Sequence, residues 1–490
     1  MKFEPVIGLE VHAELQTRSK MFCSCAVVDN TVAAPNTAVC PVCAGMPGTL
    51  PVVNQTAVEF AVKVALALQC DLQATSQFAR KNYFYPDLPK GYQISQYESP
   101  LAVNGRLTVR TGEREQVVRI RRVHLEEDTG KLTHVDRDGS SFSLVDLNRA
   151  GVPLLEVVTE PDLRSAGEAR ACGEALRAIL RYLGVNGGDM EKGVIRFEAN
   201  VSVRPRTPPG APAAPLGTRT EVKNLNSFRA LERAVAYEID RQSRLVAAGG
   251  LVQQETLGWS EARAQTFSQR GKEEAHDYRY FPEPDLPPLV VEPDWIRQVA
   301  AGLPELPYAK YQRFMQEYGL NSYNAWRLTE DQDLAAYFET AARSAPAQPL
   351  ANMILGDLMY LVNQSTSEGT AAQTFRQPRV APQALAELVR LVESGQINLS
   401  GAKEVLTEMF STGEAAARIV QARGLTQLSD ASRLAALVTE TLRENPAEVA
   451  SYRAGKTAVA NFLFGQIMKK AGGRANPQVV RSELERQLSQ

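Results

Sequence analysis

The chain has 490 residues, of which 44% are hydrophobic and 22% are charged, and its formal net charge is −2. This composition is typical of a globular protein with several domains, and the balanced charge excludes a surface that is basic throughout. The sequence has no apolar run long enough to span a membrane. The first residues, Met-Lys-Phe-Glu-Pro, lack the apolar core of a signal peptide, so we expect a cytoplasmic protein.

Residues 1–294 mix short β-branched runs with a few helical patterns. The sequence predicts helices over 55–69, 165–183 and 227–247, and Ser165 followed by Glu168 forms a capping box at the start of the second. Strands separated by isolated helices, without regular βαβ alternation, predict an α+β domain built around an antiparallel sheet.

The composition changes after the proline-rich stretch 282–288, beyond which Ala, Leu, Glu and Arg predominate. We predict an all-α helical domain over 295–410 and an all-α tail domain over 411–490. Segment 446–490 carries seven Lys and Arg residues against three Glu. A local positive excess of this kind favours contacts with phosphates.

Four cysteines form two close pairs, Cys23 with Cys25 and Cys40 with Cys43. Two pairs of thiolates suit tetrahedral zinc, and four sulfur ligands leave no open position for substrate, so the zinc would be structural. Reduced thiols without metal are the plainer alternative, and disulfides are disfavoured in a reducing compartment.

A zinc nucleobase deaminase is a second interpretation of this region. Such enzymes carry His-x-Glu followed by Pro-Cys-x-x-Cys, and here His12-Ala13-Glu14 precedes Cys40-Pro41-Val42-Cys43. The proline, however, lies inside the cysteine pair, and Cys23 and Cys25 would have no role. This pattern disfavours a deaminase.

Acidic residues are embedded in several apolar, strand-like runs. Alternation places Glu10, His12 and Glu14 on one face of a strand. The other residues with this pattern are Glu126, Glu127, Asp128, Glu156, Glu198 with Asn200, and Glu221 with Lys223. Oxygen ligands from several strands suit Mg²⁺ shared with substrate phosphates. Each acid taken alone would more often be a surface or ion-paired residue, and the repetition favours the metal site.

Segment 80–97 combines Arg80, Lys81 and Lys90 with four tyrosines. This mixture can bind nucleotide or RNA ends or line a polar tunnel, although an amphipathic loop has the same composition. The sequence contains no P-loop and no Gly-x-Gly-x-x-Gly fingerprint. Any use of ATP would therefore need another fold.

Several long segments resemble the B-subunit family of the bacterial glutamyl/aspartyl-tRNA amidotransferases. The matching segments are Gly8-Leu-Glu-Val-His12, Cys40-Pro-Val-Cys43, Arg80-Lys-Asn-Tyr-Phe-Tyr-Pro-Asp-Leu-Pro-Lys90, His124-Leu-Glu-Glu-Asp128, Asp146-Leu-Asn-Arg-Ala-Gly-Val-Pro-Leu-Leu-Glu156, Lys223-Asn-Leu-Asn-Ser-Phe228, Asp277-Tyr-Arg-Tyr-Phe-Pro-Glu-Pro-Asp285, Gly465-Gln-Ile-Met-Lys469 and Gly473-Arg-Ala-Asn-Pro477.

The resemblance implies a ligase that forms a carbon–nitrogen bond with glutamine as amido donor. With ATP and Mg²⁺ it would phosphorylate the side-chain carboxylate of misacylated Glu-tRNA(Gln) or Asp-tRNA(Asn), and ammonia would then displace the phosphate. The ammonia would come through a tunnel from the A subunit, an amidase. A small C subunit would complete the heterotrimer, and an aminoacyl-tRNA synthetase is a further expected partner. The N-terminal cradle would be related to glutamine synthetase and guanidino kinases, and the tail would bind tRNA.

The same resemblance assigns roles to particular residues. It places the catalytic and magnesium positions on Glu10, His12, Glu127 and Glu156, with Glu198 and Glu221 close by. Lys81 and Lys90 fall where the tunnel meets the active site. We expect the cofactor-binding residues to be Lys81, Lys90, Arg149, Asn200 and Lys223.

One segment departs from the family pattern. The family usually has Arg-Cys-Asp-Ala-Asn where this chain has Arg196-Phe197-Glu198-Ala199-Asn200. Glutamate reaches one methylene further than aspartate, so Glu198 could bind a metal directly where aspartate binds through water, or the reverse. A non-catalytic tRNA-binding scaffold is the remaining alternative from another functional class.

Overall fold

The computed structural model describes residues 2–137, 139–208, 210–269, 278–365, 375–425, 431–471 and 475–489. The chain divides into two compact units, Met1–Tyr308 and Ala309–Gln490. Within the described residues, no helix is long and apolar enough to cross a membrane.

The first unit is built around a nine-stranded sheet. Its strands are β1 (Phe3–Glu14), β2 (Asp71–Leu72), β6 (Ala102–Thr111), β7 (Arg114–Glu127), β10 (Pro153–Thr159), β11 (Ile195–Pro205), β12 (Thr220–Leu225), β13 (Thr256–Ser260) and β14 (Gln265–Ser268). They lie in the order β14-β13-β12-β11-β1-β10-β7-β6-β2, so the N-terminal strand is central.

The sheet is mixed, whereas the sequence predicted an antiparallel one. β12 and β13 pair in parallel, and the other neighbouring pairs described in this sheet are antiparallel. A parallel pair needs a crossover connection, usually helical. Here the helix α3 (Phe228–Ala247) lies between the two strands along the chain.

Three helices of the first unit contact the sheet, and all three begin where the sequence predicted. They are α1 (Gln55–Ala67), α2 (Ala166–Tyr182) and α3, and Asn54, Ser165 and Ser227 cap their first turns by accepting backbone hydrogen bonds. Their apolar residues pack on one face of the sheet in a single core. The opposite face of the central strands is therefore left for polar side chains.

Smaller strands complete the first unit. They are β3 (Thr75–Ser76), β4 (Ala79–Asn82), β5 (Tyr92–Ser95), β8 (Lys131–Arg137), β9 (Ser140–Asp146), β15 (Phe281–Pro282) and β16 (Leu289–Val290). They form a three-stranded sheet in the order β15-β4-β5 and the pairs β16-β3 and β8-β9. A helix, α4 (Pro293–Ala301), follows β16. The β4–β5 hairpin contacts the end of β7, which brings segment 80–97 to the polar face.

The second unit is built from helices, as the sequence predicted. The helices that follow α4 are Pro307–Tyr318, Ser322–Thr329, Gln332–Ala342, Ala347–Met353, the π-helical turn Ile354–Leu358, Met359–Ser365, Pro382–Glu393, Leu399–Thr412, Ala416–Arg423, Ala431–Glu444, Pro446–Arg453, Val459–Lys470 and Pro477–Leu488. Residues between Leu434 and Leu488 form a core of their own. The helix Leu399–Thr412 runs through the predicted domain boundary at 410/411.

Candidate active site

Strand register assembles a polar row across the centre of the sheet. His12 on β1 lies opposite Arg196 on β11 and Glu156 on β10, and Glu156 lies opposite His124 on β7. A Glu156 carboxylate oxygen lies 3.4 Å from His12 Nε2 and 3.0 Å from His124 Nε2. One carboxylate therefore bridges two histidines. The sequence predicted His12 and Glu156 but missed His124, which shares a strand face with Glu126 by alternation.

Glu126 is the second carboxylate of this group. Its carboxylate lies 3.8 Å from His12 Nε2 and 3.9 Å from His124 Nε2, and it accepts a hydrogen bond from Ser95. Single donor atoms of His12, Glu126 and Glu156 lie within 4.8 Å of one another. This set, called the His12 group below, fits a cation because two carboxylates and an imidazole converge on a small volume.

The buried surroundings of the His12 group shift its proton equilibria. Burial alone would lower the pKa of His12, but Glu156, Glu198 and Glu126 together raise that pKa to about 9. Burial would raise the pKa of Glu156, whereas His124 and His12 hold it well below its usual value. The Nδ1 atoms of both histidines are buried and have no hydrogen-bond partner among the described residues. The excess of negative charge at this point favours a bound cation.

A second acidic set lies on the neighbouring strands. Glu10, Glu198 and Glu221 each offer an oxygen within 4.8 Å of the others, and we call them the Glu10 group. Burial, and then Glu156, Glu198 and Glu221, raise the pKa of Glu10. Asn200 donates a hydrogen bond of 2.8 Å to Glu10. Four of the predicted acids are thus divided between two adjacent groups on the polar face: Glu156 lies in the His12 group, and Glu10, Glu198 and Glu221 form the Glu10 group.

Lys223 lies beside the Glu10 group. Its ammonium is 2.8 Å from Glu198 and 3.2 Å from Glu221. Burial would lower the pKa of Lys223, but these two carboxylates raise it. Lys223 and Asn200 therefore contact acids of the sheet, and their predicted role in cofactor binding stays a prediction.

Glu127 belongs to neither donor group found among the described residues. It follows the core residues Val123 and Leu125 in alternation, whereas Glu126 follows His124. Its Oε1 accepts a hydrogen bond of 2.9 Å from the backbone of Ile94 and forms an ion pair with Lys90. The structure thus brings Glu126, rather than its neighbour Glu127, to the predicted residues His12 and Glu156.

Lys81 lies among tyrosines near the His12 group. Its Nζ is 5.0 Å from the ring centre of Tyr278 and 5.8 Å from that of Tyr83. Burial would lower the pKa of Lys81, but Glu126 and Tyr280 raise it. Tyr280 stacks on Tyr97 with ring centres 4.0 Å apart. Lys81 is thus surrounded by aromatic rings from segment 80–97 and from residues 278–280, and its predicted role in cofactor binding stays a prediction.

Arg149 lies at the end of the polar row, near Asp128. It donates hydrogen bonds to the carbonyls of Thr129 and Gly130 and lies 3.6 Å from Asp128, which also pairs with Arg196 at 2.9 Å. Arg149 thus holds the backbone that follows β7. Its predicted cofactor contact stays a prediction.

Four cysteine sulfurs form a third donor set, the cysteine centre. The Sγ atoms of Cys23, Cys25, Cys40 and Cys43 lie within 4.8 Å of one another, and Cys43 is 4.0 Å from Cys25 and 3.9 Å from Cys40. Zinc–sulfur bonds of roughly 2.3 Å in a tetrahedron place sulfurs about 3.8 Å apart. The centre therefore fits the predicted structural zinc.

The separation of these sets also bears on the deaminase interpretation. A zinc deaminase coordinates one ion with a histidine and two cysteines. Here His12 groups with Glu126 and Glu156, and Cys40 and Cys43 group with the other two cysteines. The deaminase interpretation is therefore wrong.

A surface cavity of about 470 Å³ lies beside the Lys90–Glu127 pair. Phe84, Tyr85, Pro86, Leu88, Pro89, Lys90 and Gly91 line it. Phe84 is 81% exposed although it is one of the largest apolar side chains. Lys90 thus contributes to the lining of a surface cavity of the first unit.

Comparison with known proteins agrees with the motifs. Residues 5–297 match the family model described as the GatB/GatE catalytic domain, and residues 336–488 match the GatB domain. The chain is similar to the B subunit of aspartyl/glutamyl-tRNA(Asn/Gln) amidotransferase from Moorella thermoacetica, with 52% identity over 100% of both chains. The same-named proteins of Myxococcus xanthus (50% identity over 99% of this chain and 98% of the relative) and Thermodesulfovibrio yellowstonii (49% over 98% of both) are also similar. The resemblance is confirmed, and the chain belongs to the family of aspartyl/glutamyl-tRNA(Asn/Gln) amidotransferase B subunits.

Proposed function

We propose that this chain is the activating subunit of a tRNA-dependent amidotransferase, a ligase that forms a carbon–nitrogen bond. Its substrate would be misacylated Glu-tRNA(Gln), Asp-tRNA(Asn) or both. It would use ATP to phosphorylate the side-chain carboxylate and then join ammonia to the activated carbon. The observation that carries the proposal is the polar sheet face, where the His12 group and the Glu10 group lie side by side.

Two features of this face suit phosphoryl transfer. Buried Glu126 and four half-buried carboxylates make up the acids of the two groups, and Mg²⁺ held by the His12 and Glu10 groups would offset charge on the transferred phosphoryl group. Glu126 would then take the ligand position predicted for Glu127. Lys81 is half-buried and interacts electrostatically with Glu126, and it would contact an anionic substrate group. A sheet without a P-loop is compatible with the proposed kinship to glutamine synthetase and guanidino kinases.

The Lys90–Glu127 pair would serve the amination step. A carboxylate becomes a good acceptor for ammonia only when one oxygen is converted to a leaving group, and the acyl phosphate must be kept from water. The pair lies next to Glu126 along the chain and beside the surface cavity. We assign this opening to ammonia released from glutamine by the amidase of the complex, its A subunit, and a small C subunit would hold the two larger chains together.

The helical second unit would bind the outer part of the tRNA. The proposal keeps the predicted division into a cradle (1–294), a helical domain (295–410) and a tail (411–490), and the cysteine centre as a structural zinc site. An aminoacyl-tRNA synthetase that supplies the misacylated tRNA is a further proposed partner.

The test is the variant Glu127→Gln in the complex purified with its partner chains. Amidation should fall to background with either glutamine or ammonium chloride as donor, because Lys90 loses its charged partner. Glutamine hydrolysis by the amidase should continue. Glu113→Gln is the matched control, since this exposed acid lies in the turn before β7. Normal amidation by Glu127→Gln would exclude the Lys90–Glu127 pair from the reaction, and normal amidation by Glu156→Gln as well would support a non-catalytic scaffold.

A further inference from the structure

The turn that carries two of the cysteines lies directly against Lys90. Backbone hydrogen bonds from Ala44 to Cys40 and from Gly45 to Val42 close this turn. A Cβ atom added at Gly45 would lie 2.8 Å from Lys90 Cγ and 3.0 Å from Lys90 Cα. Such distances leave no room for a side chain, so the backbone of Gly45 forms the surface on which Lys90 rests.

A glycine, Gly151, lies between the cysteine centre and Glu127. A Cβ added at Gly151 would lie 3.4 Å from Cys43 Cβ and 3.9 Å from Glu127 Oε2. The backbone amide of Gly151 donates to the carbonyl of Asp128, the residue after Glu127. One glycine therefore separates a cysteine of the centre from the carboxylate that pairs with Lys90.

A buried lysine completes the connection. Lys20 has no exposed surface, and its Nζ lies 3.5 Å from Cys43 Sγ, 2.8 Å from the carbonyl of Ala38 and 3.3 Å from that of Leu147. A zinc ion with four thiolates carries net negative charge, and a buried cation beside it offsets that charge. Lys20 thus links the centre to the segment that leads to Gly151.

The segment around the centre has little structure of its own. Residues 27–54 contain no helix and no strand, although they are all described. Metal coordination stabilises the folded conformation of segments of this kind, because the donor atoms converge only in the folded state. The position of the 40–45 turn, and of the surface under Lys90, therefore depends on the cysteine centre.

We propose that the cysteine centre is a positioning element of the active site: metal held by the four cysteines fixes the 40–45 turn, and the turn holds Lys90 against Glu127. The proposal rests on the proposed function for its effect on amidation. Its structural part is independent of that function. Gly45, Gly151 and Lys20 act as positioning residues.

The sharpest test compares Gly45→Ala with Gly48→Ala. Both glycines have positive φ, +69° at Gly45 and +82° at Gly48, so both substitutions carry similar backbone strain. An added Cβ at Gly48 meets nothing within 4 Å, whereas at Gly45 it meets Lys90. In the assembled complex, Gly45→Ala should lower kcat for amidation with ammonium chloride by roughly 100-fold, as expected for an ångström-scale misplacement. Gly48→Ala should change it by about twofold or less.

Two further readouts exclude a trivial loss of structure. The metal content and the visible spectrum of the cobalt-substituted protein should be the same in both variants and the wild type. The rate at which acetic anhydride modifies Lys90, measured by mass spectrometry against the exposed Lys131, should rise in Gly45→Ala. It should also rise in the wild-type chain after the metal is removed with a chelator.

The outcomes separate the two proposals. Equal kcat in the two glycine variants, or an unchanged Lys90 labelling rate after metal removal, would overturn the positioning role. A wild-type complex that cannot amidate misacylated tRNA would sink the proposed function, while the labelling experiment would still decide the positioning role. If Gly45→Ala does not fold, labelling of the metal-free wild-type chain decides it.

Discussion

Within the described part of the first unit, the groups of side chains that could hold a metal are of two kinds, which differ in ligand chemistry and in whether they fill the coordination sphere. The cysteine centre offers four soft sulfur atoms, enough to fill a tetrahedral coordination sphere. The His12 and Glu10 groups each offer three harder donors. Hard ligands with incomplete coordination leave room for substrate oxygens.

This difference indicates that the cysteine centre and the two acidic groups have different roles. A closed sulfur site has no position for substrate, so it can only stabilise the backbone around it. The open sites lie on regular strands of the central sheet, whose hydrogen bonds already fix the backbone. Under the proposals above, the sheet would support the chemistry, and the sulfur site would fix the irregular segment 27–54. Substitutions in each region test this contrast.

Among substitutions within the donor sets, the largest effect is expected from Glu156→Gln. Glu156 bridges His12 and His124, and the neutral amide removes the charge that stabilises both. Amidation kcat/KM should fall on the order of 100-fold to 1,000-fold, the range for loss of one preorganised electrostatic group. Glu174→Gln, on the outer side of α2, is the control and should retain activity. An active Glu156→Gln enzyme would mean that the open sites are not the reaction centre.

A smaller effect is expected from Cys40→Ser. The substitution should remove the metal and lower the melting temperature, and amidation should fall by about tenfold, within the range for loss of a residue that supports a metal site. Cys172→Ala is the control, because this buried thiol lies in the apolar core, outside the cysteine centre. Its metal content should be unchanged. Loss of amidation as complete as in Glu156→Gln would break the distinction between the closed and open sites.

Local patterns in the sequence were sufficient to predict which residues share a strand face and where the helices begin. Alternation placed Glu10 and His12 on one face, and the capping box at Ser165 marked the beginning of α2. The cysteine spacing likewise indicated a donor set that the fold brings together. These features depend on neighbours along the chain, which the sequence displays directly.

Contacts between strands that are distant along the chain could not be predicted from such patterns. His12 meets Glu156 and Arg196 through strand register, which the pairing of whole strands determines. The parallel pairing of β12 and β13 depends on the crossover through α3. The choice between Glu126 and Glu127, in contrast, could have been made, because the buried residues Val123 and Leu125 mark the core-facing phase of β7.

Glu198→Asp tests whether the His12 group and the Glu10 group, the two sites with incomplete coordination, act separately. It introduces the aspartate that the resemblance predicts at this position, and it moves the carboxylate one methylene back from Lys223, which lies 2.8 Å from Glu198. Weakening this charged hydrogen bond by about 1 kcal/mol corresponds to a change of roughly fivefold. We expect a shift of that size in the Mg²⁺ concentration that gives half-maximal amidation, with kcat nearly constant. A loss as large as that in Glu156→Gln would show that the two open groups act as one centre. Glu198→Gln, which removes the charge, should be more damaging than Glu198→Asp.

The smallest effect concerns the second unit, which we expect to contribute tRNA affinity and no chemistry. Lys469 is exposed at the end of the helix Val459–Lys470, in a segment with excess positive charge. Lys469→Ala should weaken tRNA binding about threefold at moderate salt. The magnitude of the slope of log affinity against log salt should fall by about one unit, which corresponds to the loss of one phosphate contact. The KM for tRNA should rise while kcat stays constant. Lys63→Ala on α1, which removes the same charge from the first unit, should leave the salt slope unchanged. An equal change of slope in both variants would mean that binding responds to net charge alone and that the tail has no local contact with the tRNA.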